Sequence, residues 1–257
     1  MSNLINGINF SLNSLEDFDD RKLAERVIRS ILAGPRFAVP KKYGREQPLK
    51  QIIDERDITP LIDLWAPSQK NNSNQIKFPD GLLLMEFASD GDYLVHWKKA
   101  PVPSFAGVSG GGPWPTLNQE AKRLGEFMDL VKVLIGLVNP VYGEIQNMAL
   151  PGWDIPFDLP KRLPDVPWIS IYGVPYIKMF TEERILSAPF WKTEQLPSGH
   201  FLLQSTESPH QKISEETKSA IRRHLGEDAF MSGGRWRYKD GHAPVFDFSK
   251  VMNRQQP

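Results

Sequence analysis

The histidines are the residues of this chain whose type could support metal binding or acid–base catalysis. There are five: His96, His200, His210, His224 and His242. No two of them are spaced as ligands on one helix face, and none has the spacing to carboxylates that a zinc site requires. The chain contains no cysteine, which excludes disulfides, thiolate metal sites and a cysteine nucleophile. We therefore expect no metal site, no cofactor and no catalytic centre of a known motif.

A glycine run, Ser109–Gly112, precedes a long helical pattern, which is where phosphate-binding loops occur. The run lacks the lysine of a P-loop, and Pro113 and Pro115 remove two backbone donors. Gly107–Gly111 also matches G-x-S-x-G, but proline-rich sequence follows it, whereas a serine-hydrolase elbow joins a strand to a helix. The sequence predicts a loop over Pro101–Pro115, and a flexible or partner-contacting loop is favoured over phosphate binding.

The predicted strand Val141–Gln146 is the best place in the chain for a nuclease centre of carboxylates and a lysine. It supplies Glu144, but Ile145 and Gln146 follow, so the lysine that would activate the attacking water is missing. We therefore predict a binding protein and not an enzyme.

Two alternatives from other classes stay open at this stage. The first is a small hydrolase or transferase without a recognisable motif, using His200 or His210 with Glu207. A deep pocket that contains those groups would distinguish it from a binding protein. The second is a structural component of a secretion apparatus, which would reveal itself by self-assembly.

Large aromatic residues in irregular segments are the remaining candidates for a functional surface. Trp114 and Trp153 each lie beside glycine or proline in a predicted loop. Core packing and an interface role are both open for them, and partly exposed tryptophan is typical of interface hot spots. Trp97 and Trp168 lie on predicted strands, where core packing is the better interpretation. Acidic residues accompany the loop tryptophans, either as a solvated loop or as a mimic of nucleic-acid charge towards a basic partner. The predicted interface residues are Gly111, Trp114, Trp153, Asp154, Phe157 and Asp158.

Charge and hydropathy restrict the partners. The chain has 31 basic and 31 acidic residues, so it lacks the positive field that direct nucleic-acid binding needs. Met1–Asp20 has no basic start followed by an apolar stretch, which argues against a signal peptide. The longest apolar-rich segment, Phe127–Val138, is too short and too charged to span a bilayer. We therefore expect no membrane association and a cytoplasmic location.

Periodicity predicts the elements that would position these residues. The predicted helices are Arg21–Ala33, a long helix that ends at Val138, Pro175–Leu186 and Glu215–Leu225. The long helix opens with a capping box formed by Thr116 and Gln119, and the last helix is capped by Ser214 and ended by Gly226. The predicted hairpins join Leu82–Phe87 to Tyr93–Trp97 and Phe190–Gln195 to His200–Gln204, and two further strands are Val141–Gln146 and Trp168–Tyr172.

Helices that alternate irregularly with hairpins predict an α+β fold, with a mainly antiparallel sheet and helices packed on one face. A chain of 257 residues fits a single domain. Within that domain we expect an N-terminal helical part over 1–80, a core over 81–230 and an irregular tail over 231–257.

The second half of the chain resembles the immunity protein 52 family. The matching runs are Asp165–Tyr176 (DVPWISIYGVPY), Phe180, Arg184–Pro189, Leu202–Pro209 and His224–Phe230, with Pro151–Trp153 and the preceding long helix also in keeping. These runs cover roughly the C-terminal two thirds of the chain, and the first eighty residues match nothing. None of the runs is a catalytic signature.

The resemblance implies a cytosolic antitoxin that binds a cognate toxin of a bacterial polymorphic or type VI secretion system. Its partner would be a nuclease of the restriction-endonuclease type, stopped by occlusion of its basic cleft or by locking of one of its segments. Five residues of the matching runs we assign to the fold: Gly173 to a turn, Pro175 to a first helical turn, and Trp168, Tyr172 and Tyr176 to packing of helix on sheet.

Overall fold

The computed structural model describes residues 7–67, 79–87, 91–113, 117, 121–150, 157–231 and 237–252. Over these ranges the chain forms ten β-strands and six α-helices. Every strand pair whose register is defined is antiparallel. This confirms the predicted α+β class with a mainly antiparallel sheet.

The elements have the following bounds. The strands are β1 Gly7–Ser14, β2 Lys42–Gly44, β3 Gln51–Ile52, β4 Asp80–Phe87, β5 Gly91–Lys98, β6 Ala106–Pro113, β7 Pro140–Asn147, β8 Ile169–Tyr172, β9 Lys192–Gln195 and β10 Phe201–Gln204. The helices are α1 Arg21–Leu32, α2 Thr59–Trp65, α3 Ala121–Val138, α4 Val174–Phe180, α5 Glu182–Leu186 and α6 Glu215–Leu225.

Two compact units make up the chain. Unit 1 contains Met1–Phe10 and Pro140–Phe246, and unit 2 contains Ser11–Asn139 and Asp247–Pro257. Strand β1 is divided between them. The single domain expected from the sequence stays a prediction.

In unit 2 the strands follow the order β3-β2-β4-β5-β6. Burial alternates along β4, where Leu83, Met85 and Phe87 are fully buried and the residues between them are partly exposed. That alternation is typical of an antiparallel sheet covered on one face. Helix α1 begins at an N-cap, Asp20, whose side chain accepts a hydrogen bond from the Lys22 amide, and it packs against α2 and α3.

In unit 1 the strands follow the order β7-β8-β10-β9. All four residues of β8 are buried, so both faces of this part of the sheet are covered. Tyr172 of β8 lies opposite Tyr142 of β7 and packs on Tyr176 and Phe180 of α4, with ring centroids 5.7 and 5.4 Å away. The sequence predicted helices on one face of the sheet, and that arrangement does not account for burial on both faces of β8.

Strand β6 lies where the sequence predicted a loop over Pro101–Pro115, so that prediction is wrong for Ala106–Pro113. Packing, and not a turn, requires glycine at position 107 of β6. A Cβ on Gly107 would lie 2.3 Å from Cε1 of His96, its cross-strand partner. The bulky neighbours therefore select glycine inside a strand, where glycine normally indicates a loop.

The predicted helix Pro175–Leu186 is two helices. Thr181 adopts φ 68°, ends α4 and caps α5 by accepting from the Arg184 amide at 3.4 Å. A β-branched residue with positive φ is uncommon, and nothing in a sequence pattern predicts it.

The N-terminal part is also less helical than predicted, because Gly7–Ser14 forms β1. Ile8, Phe10 and Leu12 are fully buried and alternate with more exposed residues. This alternation with a period of two is the signal that predicts a strand, and it is present in the sequence.

Candidate protein-binding site

Three of the six predicted interface residues lie outside the described residues: Trp114, Trp153 and Asp154. Gly111 is described, and it is buried in β6 opposite Asp92. The predicted exposed loop at this position is therefore a paired strand, in which a Cβ on the neighbouring Gly112 would lie 3.2 Å from the Phe87 ring.

Phe157 and Asp158 are the other two described candidates, and both lie in unit 1. The Phe157 ring is half-buried and packs edge-on against Tyr142, with centroids 5.9 Å apart. Asp158 is exposed and forms an ion pair with Lys161, Oδ2 to Nζ 2.6 Å. Neither residue stands out as an anchor, because Phe157 is used in packing and the charge of Asp158 is balanced locally.

An exposed apolar segment of unit 1, Leu186–Trp191, is a binding candidate that the sequence analysis missed. The Leu186 side chain is 55% exposed and that of Trp191 is 53% exposed. A Trp or Leu exposed to this degree keeps a large apolar area in water, and burying such an area in a partner is favourable.

The segment is held in place by its inward-facing residues. Ile185 and Ala188 are buried, and the Ser187 amide donates to the Glu183 carbonyl at 3.0 Å, which ends α5. Pro189 then prevents the helix from continuing. The segment therefore presents Leu186 and Trp191 from a fixed backbone, which reduces the entropy lost on binding.

Contacts to α6 fix the same segment from one side. Nε of Arg184 donates to the His224 carbonyl oxygen, and Nε2 of His224 lies 3.1 Å from Oγ of Ser187 and 3.0 Å from the Arg184 carbonyl oxygen. Because that carbonyl can only accept, Nε2 carries the proton and cannot act as a base towards Ser187. The Ser187–His224 contact is therefore structural and does not activate a nucleophile.

Strand β9 follows the segment directly and ends the strand order of unit 1. Its inner edge pairs with β10, and no strand of the described ranges pairs with its outer edge. We call Leu186, Phe190, Trp191 and the outer edge of β9 the Trp191 surface. An open edge beside an exposed tryptophan combines unpaired main-chain groups with an apolar anchor.

Acidic side chains border the Trp191 surface. Glu182 and Glu183 are exposed in the first turn of α5. Nε2 of Gln195 donates to Oε1 of Glu182 at 3.2 Å, which links that carboxylate to β9. Of the basic residues nearby, Lys192 pairs with Glu194 at 3.8 Å and Arg184 donates to the His224 carbonyl oxygen. The carboxylates of Glu182 and Glu183 therefore favour a partner that carries basic residues.

His200, a residue of the hydrolase alternative, is buried and has a structural role. Nε2 of His200 lies 3.0 Å from the Pro140 carbonyl oxygen and Nδ1 lies 3.0 Å from Oγ of Ser198. Burial lowers the pKa of His200, although hydrogen bonding to the main chain of Pro140 and Ser198 opposes this effect. Since both ring nitrogens are occupied, His200 gives the hydrolase alternative no support.

Glu144, the carboxylate of the predicted strand Val141–Gln146, is also buried within the sheet. Oε2 of Glu144 accepts a hydrogen bond from the Tyr142 hydroxyl at 3.1 Å. Burial raises the pKa of Glu144 to about 7, against the lowering effect of its hydrogen bonds. Among the described residues no group of three or more His, Asp or Glu side chains could hold a metal ion.

Unit 2 contains a separate groove between the C-terminal end of α1 and α3, with a volume of about 780 Å³. Its apolar lining includes Phe37, Leu130 and Val133, and its charged rim includes Arg123 and Glu126. The Arg123 guanidinium lies over the Phe37 ring, 5.3 Å from its centroid. The rim carries both signs of charge, so it does not by itself indicate one class of ligand.

Comparison with solved structures shows a likeness in fold. No protein-family model matches the chain, and no curated protein matches its sequence. The solved structure of Pseudomonas aeruginosa T6SS protein PA0821 is similar, with a TM-score of 0.60 and 10% sequence identity over 97% of this chain and 83% of that chain. No helix among the described residues is long and apolar enough to cross a membrane. The chain thus shares its fold with a type VI secretion system protein.

Proposed function

We propose that this protein is an immunity protein that binds and neutralises a cognate toxin, a nuclease delivered by a type VI or related secretion system. The sequence resemblance to the immunity protein 52 family and the fold shared with a type VI secretion system protein support this proposal. The observation that carries it is the Trp191 surface, where a half-exposed tryptophan lies on an anchored backbone beside an open strand edge.

Burial separates the residues that build the fold from those that are free to bind. Trp168, Tyr172 and Tyr176 of the matching runs are buried, and Pro175 lies in the first turn of α4. Leu186, which belongs to the run Arg184–Pro189, is exposed. An immunity protein needs such a division, because the scaffold is shared while the contacts are particular to each pair.

The charges suit a nuclease partner. A nuclease binds phosphates with a basic cleft, and the exposed carboxylates of Glu182 and Glu183 beside Trp191 would attract such a cleft. The apolar residues would then supply most of the binding free energy, since hot spots are enriched in tryptophan. On this proposal neutralisation is stoichiometric binding, with no chemical step.

The test is co-expression with the product of the adjacent reading frame, a protein that must stop growth when it is expressed alone. We expect the wild-type chain to rescue growth and to co-elute with the toxin in size-exclusion chromatography. No rescue and no complex with a proven toxin would overturn the proposed function.

Two variants test the placement of the binding surface. Trp191→Ser should weaken toxin binding by about 30-fold or more, as removal of a hot-spot tryptophan does. The matched control is Val245→Ser, which changes an apolar residue of unit 1 that is 86% exposed and outside the Trp191 surface. If both variants bind like wild type in calorimetry, the protein is an immunity protein that uses another surface.

A further inference from the structure

The register of the β9–β10 hairpin determines which main-chain groups of β9 are unpaired. The Leu196 amide donates to the His200 carbonyl at 2.8 Å, and Glu194 lies opposite Leu202. In an antiparallel ladder, hydrogen-bonded and non-hydrogen-bonded pairs alternate. Lys192 and Glu194 therefore bond to β10, while Thr193 and Gln195 direct their N–H and C=O groups to the outer edge.

The side chains of β9 separate by the same period of two. Within β9, Thr193 and Gln195 share one face, and Lys192 and Glu194 share the other. Charged side chains on an edge strand normally discourage pairing with another chain. Here Lys192 and Glu194 lie on one face of β9, so the face of this strand that carries Thr193 and Gln195 is uncharged.

The acidic border favours a basic segment of the toxin as the occupant of the edge. Nε2 of Gln195 bonds to Oε1 of Glu182, so a carboxylate lies beside the outer edge of β9 and would attract a basic residue of the added segment. A second copy of this chain paired with Thr193 opposite Gln195 would place Glu194 opposite Glu194, which is destabilising, whereas pairing Thr193 with Thr193 would place Lys192 opposite Glu194. The oligomeric state of the isolated chain therefore separates the two occupants.

We infer that the toxin adds an extended segment to the outer edge of β9, pairing its main chain with Thr193 and Gln195. An apolar side chain of that segment would pack on Trp191, and a basic one would face Glu182. This inference rests on the proposed function and specifies the kind of toxin segment that is bound. Strand addition takes affinity from main-chain hydrogen bonds and specificity from alternate side chains.

The first test is hydrogen–deuterium exchange of the purified complex with the toxin. We expect the amides of Thr193 and Gln195 to become protected on binding. The amide of Glu194 already bonds to β10, so its exchange should change much less. This measurement needs no variant and is independent of any effect of mutation on folding.

The second test removes one outward N–H. Thr193→Pro loses that donor without loss of a bond to β10, and proline is tolerated on an edge strand when its missing N–H faces outwards. It should fold, as judged by circular dichroism, and should bind the toxin about tenfold or more weakly. The matched control Thr193→Val keeps the N–H and the strand preference, and should bind within about threefold of wild type. Gln195→Pro repeats the test at the second outward position.

The outcomes separate this inference from the proposed function. Absence of any wild-type complex overturns both. A wild-type complex in which both amides stay unprotected and Thr193→Pro binds normally overturns strand addition and leaves the immunity function in place. A homodimer of the isolated chain that Thr193→Pro abolishes would show that a second copy occupies the edge, which also contradicts the inference.

Discussion

The carbonyl oxygen of Pro140, at the start of β7, accepts a hydrogen bond from Nε2 of His200 at 3.0 Å. The same carbonyl oxygen lies against Gly173, where an added Cβ would come within 2.2 Å of it. One main-chain group thus joins the β9–β10 turn to the start of α4. This arrangement supports the hairpin that carries the Trp191 surface.

Alanine at position 173 should destabilise the protein strongly. A Cβ 2.2 Å from the Pro140 carbonyl oxygen requires the backbone to move, because the contact is not with a flexible side chain. We expect Gly173→Ala to lower the free energy of unfolding by about 2 kcal/mol or more, measured by urea denaturation. An unchanged midpoint would show that the two backbone segments are not held this close.

The opposite result is expected at Gly125, which serves as the matched control for the glycine-to-alanine change. Nothing lies within 4 Å of a Cβ added to this residue of α3. Since alanine is the better helix former, Gly125→Ala should raise the free energy of unfolding by about 1 kcal/mol. A loss of stability in the same denaturation experiment would contradict the open environment of this position.

His200 should make stability fall under mildly acidic conditions. Burial lowers its pKa below the ordinary value of 6.5, so the folded state resists protonation that the unfolded chain accepts. Its contribution is therefore fully present above pH 6.5 and is lost as the pH falls below that value and through the lower pKa of the folded state. His200→Gln removes the titrating group, and its unfolding free energy should depend less on pH between about 7 and 5.5 than that of wild type. Parallel curves for the two proteins would contradict the prediction.

Glu144 should act in the opposite direction. Its pKa is raised from 4.5 to about 7, so the folded state favours the protonated carboxyl. The stability it confers is fully present below pH 4.5 and is lost as the pH rises through about 7. The difference of the two pKa values corresponds to a loss of roughly 3 kcal/mol at alkaline pH.

Glu144→Gln should therefore stabilise the protein at pH 8 and have little effect at pH 5, as measured by urea denaturation at both values. The amide keeps an acceptor for the Tyr142 hydroxyl and carries no charge to be buried. Glu183→Gln, at an exposed position, is the control and should change neither midpoint. Equal effects of Glu144→Gln at both values would show that this carboxyl does not titrate between them.

Local signals in the sequence determined several elements with their ends. Helix α6 begins at the Ser214 cap and ends at Gly226, as the sequence predicted, because a capping side chain and a glycine with φ 116° act within one turn. Both hairpins form, since alternation with a period of two needs only neighbouring strands. The α+β class follows from the same local information.

Packing between residues distant in sequence decided the elements and helix ends that the sequence did not predict. The glycines of β6 fit a loop or a strand equally well until His96 and Phe87 are placed against them. The break at Thr181 depends on the residues on either side of it being fixed by tertiary contacts. These outcomes arise from contacts distant in sequence, which a periodic pattern does not contain.

For the candidate site, two tryptophans separate what the sequence determines from what tertiary packing decides. Each of them directly precedes a strand. Trp168 is 7% exposed and donates from Nε1 to the Thr206 carbonyl at 3.1 Å, whereas Trp191 is 53% exposed. The sequence determined that both residues bring a large apolar ring to the start of a strand. Only the tertiary structure decided which ring is covered, because β8 lies between β7 and β10 while β9 lies at the end of the strand order.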